Sequence, residues 1–495
     1  KGGHYITVWA PRQTGKTGIM QEVTWKLQKD ERFHVVITPL QHLQEVDPTS
    51  RVLTNIANSI LEFLDMDKNA KIETWDDFEQ FFTSENFQKP LILILDEFDA
   101  LDEKIINGIA RVMRNIYLKR DNEKHKPVAE KKYRLHGVAL IGIRSVLGIE
   151  NQKGSPFNVQ RSLHIVNLTY NEVDSMFKWY EKESGQKIEQ KVIDRLYYEL
   201  NGQPGLTCWF GELLTETYNT EKNKPIDMKK YDHVYAYASN VLPNNNILNI
   251  ISKAKKAPYK NLILELFRTD ESHEFKFDDE HLNFLYLNGV IDILKDADSE
   301  KIYMKFPSPF VQKRLFSHFA RDLFNYMGRL VPPFDDLSDV LTDTDLNIKN
   351  LMKLYQNYLI KNKEWLFKEA PRRTDMRIYE AVFHFNLYRY LSNFMERKGV
   401  IIYPEFPTGN GQIDIIIKYA GKTYGLELKS FTDTSDYNEA LKQSSKYGKQ
   451  LGLDTITLIF FIETIDEESR KKFEQNYYDN KTKVTVEPIF IEVAI

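Results

Sequence analysis

Cysteine is almost absent from this chain: Cys208 stands alone among 495 residues. One thiol excludes an internal disulfide framework and any cysteine-based zinc site, and it points to a reducing compartment, the cytoplasm. Its neighbours Leu206, Trp209 and Phe210 predict a buried apolar thiol and not a nucleophile. Long apolar runs are missing as well. The most apolar stretch, Leu91 to Leu95, is only strand length, against the roughly 20 residues that a membrane helix needs, so no membrane partner is expected. The opening Lys1-Gly2-Gly3-His4 lacks the charged, then apolar, then small order of a secretory signal. A large charge of one sign is lacking too. The formal net charge is −4, so a polynucleotide surface would have to be a local patch.

What is present is a soluble, globular composition, 42% hydrophobic and 28% charged. The length implies about three or four domains. Short apolar runs at Tyr5–Trp9, Phe33–Thr38, Pro90–Leu95, His136–Ile143 and Leu163–Leu168 alternate with helical stretches over residues 1–168. Continuous apolar strands separated by helices predict a parallel sheet covered on both faces. Thr169 and Glu172 then form a capping box that opens a helical lid, expected over 169–245. Residues 246–330 read as two helices, a turn at Asn288-Gly289 into the strand 290–294, and a polar turn around Asp296 to Glu300 into the strand 301–306, the order of a winged helix. Val331-Pro332-Pro333 begins a helical linker to 370, and an α/β pattern fills 371–495. The expected class is therefore a multidomain α/β protein.

Ala10-Pro11-Arg12-Gln13-Thr14-Gly15-Lys16-Thr17 lies between the first strand and the first helix. It matches the phosphate-loop pattern with Ala for the usual first Gly. In such a loop successive backbone N–H groups and a helix N-terminus cradle phosphates. Lys16 would neutralise phosphate oxygens and the Thr17 hydroxyl would hold Mg²⁺. Arg12 would meet phosphate or a neighbouring subunit. The metal also needs an acid at the end of a neighbouring strand, and Leu91–Leu95 ends in Asp96-Glu97. Asp96 would hold the ion and Glu97 polarise the attacking water. Arg144, after the fourth strand, reads either as a γ-phosphate sensor or as a surface ion-pair partner. ATP and Mg²⁺ are the cofactors these residues imply.

Asn201-Gly202-Gln203-Pro204-Gly205, together with the loop and Ser155-Pro156-Phe157-Asn158, resembles the Gly-x-Pro lid of STAND-type and archaeal AAA-like ATPases. The resemblance covers roughly residues 1–330. It implies that Pro204 lies by the nucleotide base and couples nucleotide state to domain arrangement, and that the chain self-associates into a homo-oligomer.

Near the C-terminus, Asp414 stands on the strand 411–417, and a turn at Ala420-Gly421-Lys422 returns to Glu427-Leu428-Lys429. On a strand Glu427 and Lys429 share a face. Two carboxylates beside an ammonium suit one or two Mg²⁺ ions, with Lys429 positioning water. Asp-x12-Glu-x-Lys resembles the PD-(D/E)XK nuclease superfamily. That resemblance implies a metal-binding glutamate on the preceding helix, matched by Glu380, and a polar residue near the metal, matched by Gln443. Glu405 is a rival ligand, and His384 is expected to be packed and not catalytic. Basic residues with aromatics between them precede this unit (Lys361, Lys363, Lys368, Arg372, Arg373 and Arg377), and Lys253, Lys255, Lys256 and Lys260 precede the winged-helix-like unit.

These readings add up to an ATP-binding and hydrolysing switch that regulates a Mg²⁺-dependent nuclease acting on DNA in preference to RNA. By family analogy the setting is prokaryotic defence or mobile elements. The alternative is an ATP-driven, non-catalytic switch whose inactive nuclease-like domain only grips nucleic acid or a protein.

Overall fold

The computed structural model describes residues 4–67, 69–142, 161–267, 273–295, 301–331, 337–372, 378–395, 400–405, 413–431 and 433–493. By contacts the chain divides into two compact units. The first comprises 1–193, 202–227 and 286–289; the second comprises 194–201, 228–285 and 290–495.

The first unit is built on β1 (Tyr5–Trp9), α1 (Lys16–Gln28), β2 (His34–Pro39), α2 (Thr49–Phe63), α3 (Trp75–Phe81), β3 (Leu91–Asp96), α4 (Glu103–Asn122), β4 (Leu135–Gly142) and β5 (Arg161–His164). The five strands make one sheet in the order β2-β3-β4-β1-β5. Every pairing is parallel. Alternation along β3 explains its two covered faces. Leu91, Leu93 and Leu95 join Ile56, Phe78, Ile109 and Met113 from α2, α3 and α4. Ile94 points the other way, toward Val8, Ile141 and Met20 of α1. Each such side chain withdraws apolar surface from water, worth about 1.5–3 kcal/mol apiece.

Helices follow: α5 (Tyr170–Ser184), α6 (Gln190–Leu200) and α7 (Pro204–Glu212). The capping box is formed, with Thr169 accepting from the Glu172 amide and the Glu172 carboxylate accepting from the Thr169 amide. Only the first turn of α6 is counted with the first unit. On α7, Leu206, Thr207, Phe210 and Gly211 are buried. Cys208 is exposed, which corrects the expected buried thiol. Its position on the helix sets it off the buried stripe despite apolar neighbours in sequence. Its surroundings push the thiol pKa up, away from a reactive thiolate.

The second unit continues with α8 (Met228–Asn240), α9 (Asn245–Ala254), α10 (Tyr259–Leu266), α11 (Glu280–Leu287, whose last two residues are counted with the first unit), β6 (Asp292–Lys295), β7 (Ile302–Lys305) and α12 (Pro309–Leu323). Asn244 caps α9, accepting from the amides of Asn246 and Ile247. β6 and β7 pair antiparallel. A buried ion pair ties this region together: Lys313 Nζ donates to Glu199 at 2.9 Å and the Arg195 guanidinium reaches the same carboxylate at 2.7 Å.

Next come α13 (Ile348–Leu366), α14 (Glu380–Met395), β8 (Ile401–Glu405), β9 (Ile413–Tyr419), β10 (Lys422–Ser430), α15 (Thr434–Gln450), β11 (Thr455–Ile462), α16 (Glu467–Phe473), β12 (Tyr477–Asp479) and β13 (Val484–Glu492). They form a mixed six-stranded sheet in the order β12-β13-β11-β10-β9-β8. The β9–β10 turn has left-handed residues at Ala420 and Gly421, the geometry that suits a two-residue hairpin. β10 and β11 are parallel, so the chain must cross over between them, and α15 does so. Its Tyr437, Ala440, Leu441 and Tyr447 pack on Leu458, Phe460, Val486 and Phe490. Phe385 of α14 packs against Phe267 and Phe316, with centroids 5.6 and 4.8 Å away. No helix among the described residues is long and apolar enough to cross a membrane.

Candidate functional site

The loop after β1 is shaped by its own hydrogen bonds. Gln13 and Gly15 take left-handed φ of 57° and 80°. At Gly15 that freedom lets the chain turn into α1 without strain. The Thr14 hydroxyl donates to the Pro11 carbonyl at 2.9 Å. Lys16 Nζ donates to the carbonyls of Ala10 and Pro11 at 2.8 and 2.7 Å. Burial lowers the Lys16 pKa to about 8, with Asp99 and Asp96 opposing and Arg12 assisting. Arg12 itself is exposed.

The acidic partner comes from β3. Asp96 is 3% exposed. Its Oδ2 accepts from the Thr17 hydroxyl at 2.6 Å, and its Oδ1 accepts from the Glu97 amide at 3.0 Å. A hydroxyl and a carboxylate at this separation are hard oxygen donors, the class Mg²⁺ prefers. Glu97 sits at φ 55°, ψ 40°, a conformation that costs a non-glycine residue about 1–3 kcal/mol. Burial raises its pKa, with Asp96 and Asp99 adding to the effect.

Asp99 went unnoticed in the sequence. A Cβ added to Gly142, at the end of β4, would lie 2.6 Å from Asp99 Oδ1. The glycine thus lets this carboxylate approach the sheet end. The only sequence signal was its place three residues after Asp96 in Asp96-Glu97-Phe98-Asp99. Arg144 and Ser155–Asn158 lie outside the described residues.

Pro204 is the first residue of α7, and this helix start is clasped to the loop. Gly205 N donates to the Gln13 carbonyl at 2.9 Å. Gln203 Nε2 donates to the carbonyls of Arg12 and Gln13 at 3.3 and 3.2 Å. On the other side, Gly289 (φ 69°) would place a Cβ 2.9 Å from Pro11 Cβ. Trp9, just before the loop, stacks on His164 at 4.1 Å and meets Tyr286 edge-on at 5.7 Å.

In the second unit, the backbones of Asp414 on β9 and Glu427 on β10 are register partners, and Glu405 on β8 pairs with Asp414. Glu380 opens α14. The side chains of Asp414, Glu405 and Glu380 lie outside the described ones. Glu427 is 2% exposed, and neither carboxylate oxygen has a hydrogen-bond partner among the described residues. Lys429 Nζ stands 3.8 Å from it and donates to Gln443 Oε1 at 2.7 Å. Burial raises the Glu427 pKa, with the Lys429 ammonium opposing. His384 is fully buried, packs 5.4 Å from Phe461, and burial lowers its pKa to about 3. It is a neutral core histidine.

Among the described residues, no group of three or more His, Cys, Asp or Glu gathers as a metal site. The basic clusters are partly engaged. Lys253 lies over the Phe284 ring, and Lys260 lies over Phe319 and pairs with Asp322 at 3.3 Å. Lys255, Lys256, Lys361, Lys363, Lys368 and Arg372 are exposed, and Arg373 and Arg377 lie outside the described residues.

Residues 1–222 match the family model of an AAA-like domain. That stretch is a P-loop α/β domain of AAA-like type followed by lid helices. No curated protein matches the chain. Among solved structures, the Aeropyrum pernix ORC2 protein, in ADPNP–ADP complexes, is 11% identical with a TM-score of 0.37, covering 64% of this chain and 88% of that one. Cdc6p from Pyrobaculum aerophilum is 14% identical with a TM-score of 0.35, covering 65% and 89%. The RuvB Holliday junction branch migration motor of Thermotoga maritima is 13% identical with a TM-score of 0.31, covering 51% and 68%. Similarity this low carries no argument about function.

Proposed function

We propose that this chain is an ATP-driven switch, binding and hydrolysing ATP in the 10–17 loop and using its second unit to grip nucleic acid. The observation that carries the ATPase is the Thr17–Asp96 hydrogen bond, with Glu97 following in a left-handed conformation. Mg²⁺, when bound, would neutralise charge building on the transferred phosphoryl group. Thr17 and Asp96 would hold the ion. Lys16 would leave the Ala10 and Pro11 carbonyls for phosphate oxygens, and Glu97 would orient the attacking water. Pro11, Arg12, Gln13, Thr14 and Gly15 would line the phosphates, Pro204 would stand by the base, and Arg144 would sense the γ-phosphate.

The grip on nucleic acid is supported by the run of helices α9, α10 and α11 ahead of the β6–β7 hairpin, the order of a winged helix, with Lys255 and Lys256 exposed. Domain limits at 168, 245, 330 and 370 belong to the same proposal, as do DNA over RNA and self-association. The test is ATP hydrolysis by the full chain with and without polynucleotide, beside Lys16→Ala. ATP turnover equal in the variant and the wild type refutes the ATPase.

A second reading, a metal-dependent nuclease, is favoured by one observation. Glu427 is a buried carboxylate with no hydrogen bond among the described residues, and the Lys429 ammonium 3.8 Å away is its counter-charge, an arrangement that a further cation would stabilise. A restriction-endonuclease-like site would use Glu427, Asp414 and Glu380 as ligands. Lys429, held by Gln443, would position water there. Such an ion would act as a Lewis acid on the scissile phosphate. The full chain with ATP and Mn²⁺ or Mg²⁺ should then cut labelled DNA, and Glu427→Gln should not. Binding without any scission leaves the gripping switch.

A further inference from the structure

The clasp between the start of α7 and the phosphate loop has a consequence for the loop's amides. The Gln13 carbonyl accepts two hydrogen bonds from the lid side, from Gly205 N at 2.9 Å and from Gln203 Nε2 at 3.2 Å. The Arg12 carbonyl accepts one, from the same amide nitrogen at 3.3 Å. A trans peptide is planar, so its carbonyl and the following N–H point in opposite directions. With the carbonyls of Arg12 and Gln13 turned toward α7, the amides of Gln13 and Thr14 are turned away from it. Those are the donors on which a phosphate cradle depends.

We infer that Gln203 is a positioning residue that pre-orients the Gln13 and Thr14 amides for nucleotide phosphates. Its two ends have separate tasks. Oε1 caps α7 by accepting from the Leu206 amide at 2.5 Å, while Nε2 reaches the loop. Gly205 makes the approach feasible, since a Cβ there would lie 2.6 Å from Gln13 Cβ and 2.9 Å from the Gln13 carbonyl oxygen. Gln13 itself is held at φ 57°, a conformation with a steric cost that the clasp offsets. Without the Gln203 donor the Arg12–Gln13 peptide loses its bond to the lid side and the Gln13–Thr14 peptide keeps the Gly205 bond alone of the two, so the share of loops with both amides turned away from α7 falls. Apparent affinity falls by that same fraction.

The inference rests on the ATP-binding reading, and the two fail differently. Dissociation constants of ATP, ADP and adenosine would be measured on the full chain for wild type, Gln203→Glu and Gln203→Met. The glutamate keeps a cap acceptor for Leu206 but loses the donor to the loop. The methionine keeps length without charge and loses both contacts. Thermal melts would establish that each variant is folded. Both variants should bind ATP and ADP about tenfold more weakly, the effect of one competent loop in ten. Adenosine affinity should not change. Wild type that binds no ATP overturns the ATPase reading and this inference together. Wild type that binds ATP while both folded variants bind it equally well overturns the inference alone. So does an equal loss for adenosine and ATP, which would make Gln203 a structural support of the lid.

Discussion

Thr17 donates its hydroxyl proton to Asp96 across 2.6 Å, joining the first turn of α1 to the end of β3, 79 positions further along the chain. Thr17→Ala removes the hydroxyl proposed to hold Mg²⁺ and leaves Asp96 buried without that partner. Hydrolysis should fall on the order of 10²-fold, the scale of losing one group that stabilises transition-state charge. Glu97→Gln should lower turnover similarly while leaving ATP affinity near wild type. Steady-state phosphate release and ATP titration separate the two, and weakened ATP binding by Glu97→Gln would count against its assignment to water.

The Lys16 amine provides a pH test. Burial holds its pKa down to about 8, and phosphate binds the ammonium form. Nucleotide affinity should therefore be full below pH 8 and decline as pH rises through it. Above that pH binding should take up a proton, because the bound phosphates favour the charged form. Calorimetry in two buffers of different ionisation enthalpy reads the uptake directly. A flat affinity from pH 7 to 9.5 would contradict the assignment.

Glu427 makes a prediction of the opposite kind. Burial raises its pKa above the ordinary value of 4.5, so the unfolded chain gives up this proton at lower pH than the folded chain. The stability tied to this group is present below the unfolded pKa and is lost as pH rises toward and through the folded one. Glu427→Gln should remove that loss, making the variant more resistant to urea than wild type at pH 8 but not at pH 4.5. Mn²⁺ should raise the melting temperature of wild type and not of the variant. Identical pH profiles would refute a burial-raised Glu427 pKa.

Within the second unit, Glu199→Ala should destabilise by about 3–5 kcal/mol, because it removes the buried carboxylate that Lys313 and Arg195 share. Lys313 has a side chain only 7% exposed and bonds to Glu199 at 2.9 Å. Lys313→Met in the same chain should recover much of the loss. Urea unfolding of the four members of the cycle measures the coupling, and simple additivity would show that the pair is not coupled.

The phosphate loop, the acidic strand end and the capping box were legible in the sequence because each is a local signal, with fixed residue types at fixed spacing. The hairpin turn at Ala420-Gly421 was legible for the same reason. The clasp was not. Gln203 meets backbone carbonyls some 190 positions away, and a carbonyl leaves no mark in a sequence. Cys208 was misjudged because apolar neighbours in sequence said nothing about which face of α7 it occupies. Asp99 was passed over because its closeness to the sheet end depends on Gly142, a residue from another strand.

The chain passes between the two compact units five times, at 193/194, 201/202, 227/228, 285/286 and 289/290. No single cut can therefore release either one intact, and deletion studies on this protein face a problem of bookkeeping in space and not along the sequence. A fragment beginning at 290 would carry Lys313 away from Glu199 and Phe316 away from Phe267. Its core would start with an ammonium cut off from the Glu199 carboxylate and an aromatic cluster missing a ring, so silence from such a fragment would report damage and not the absence of an activity.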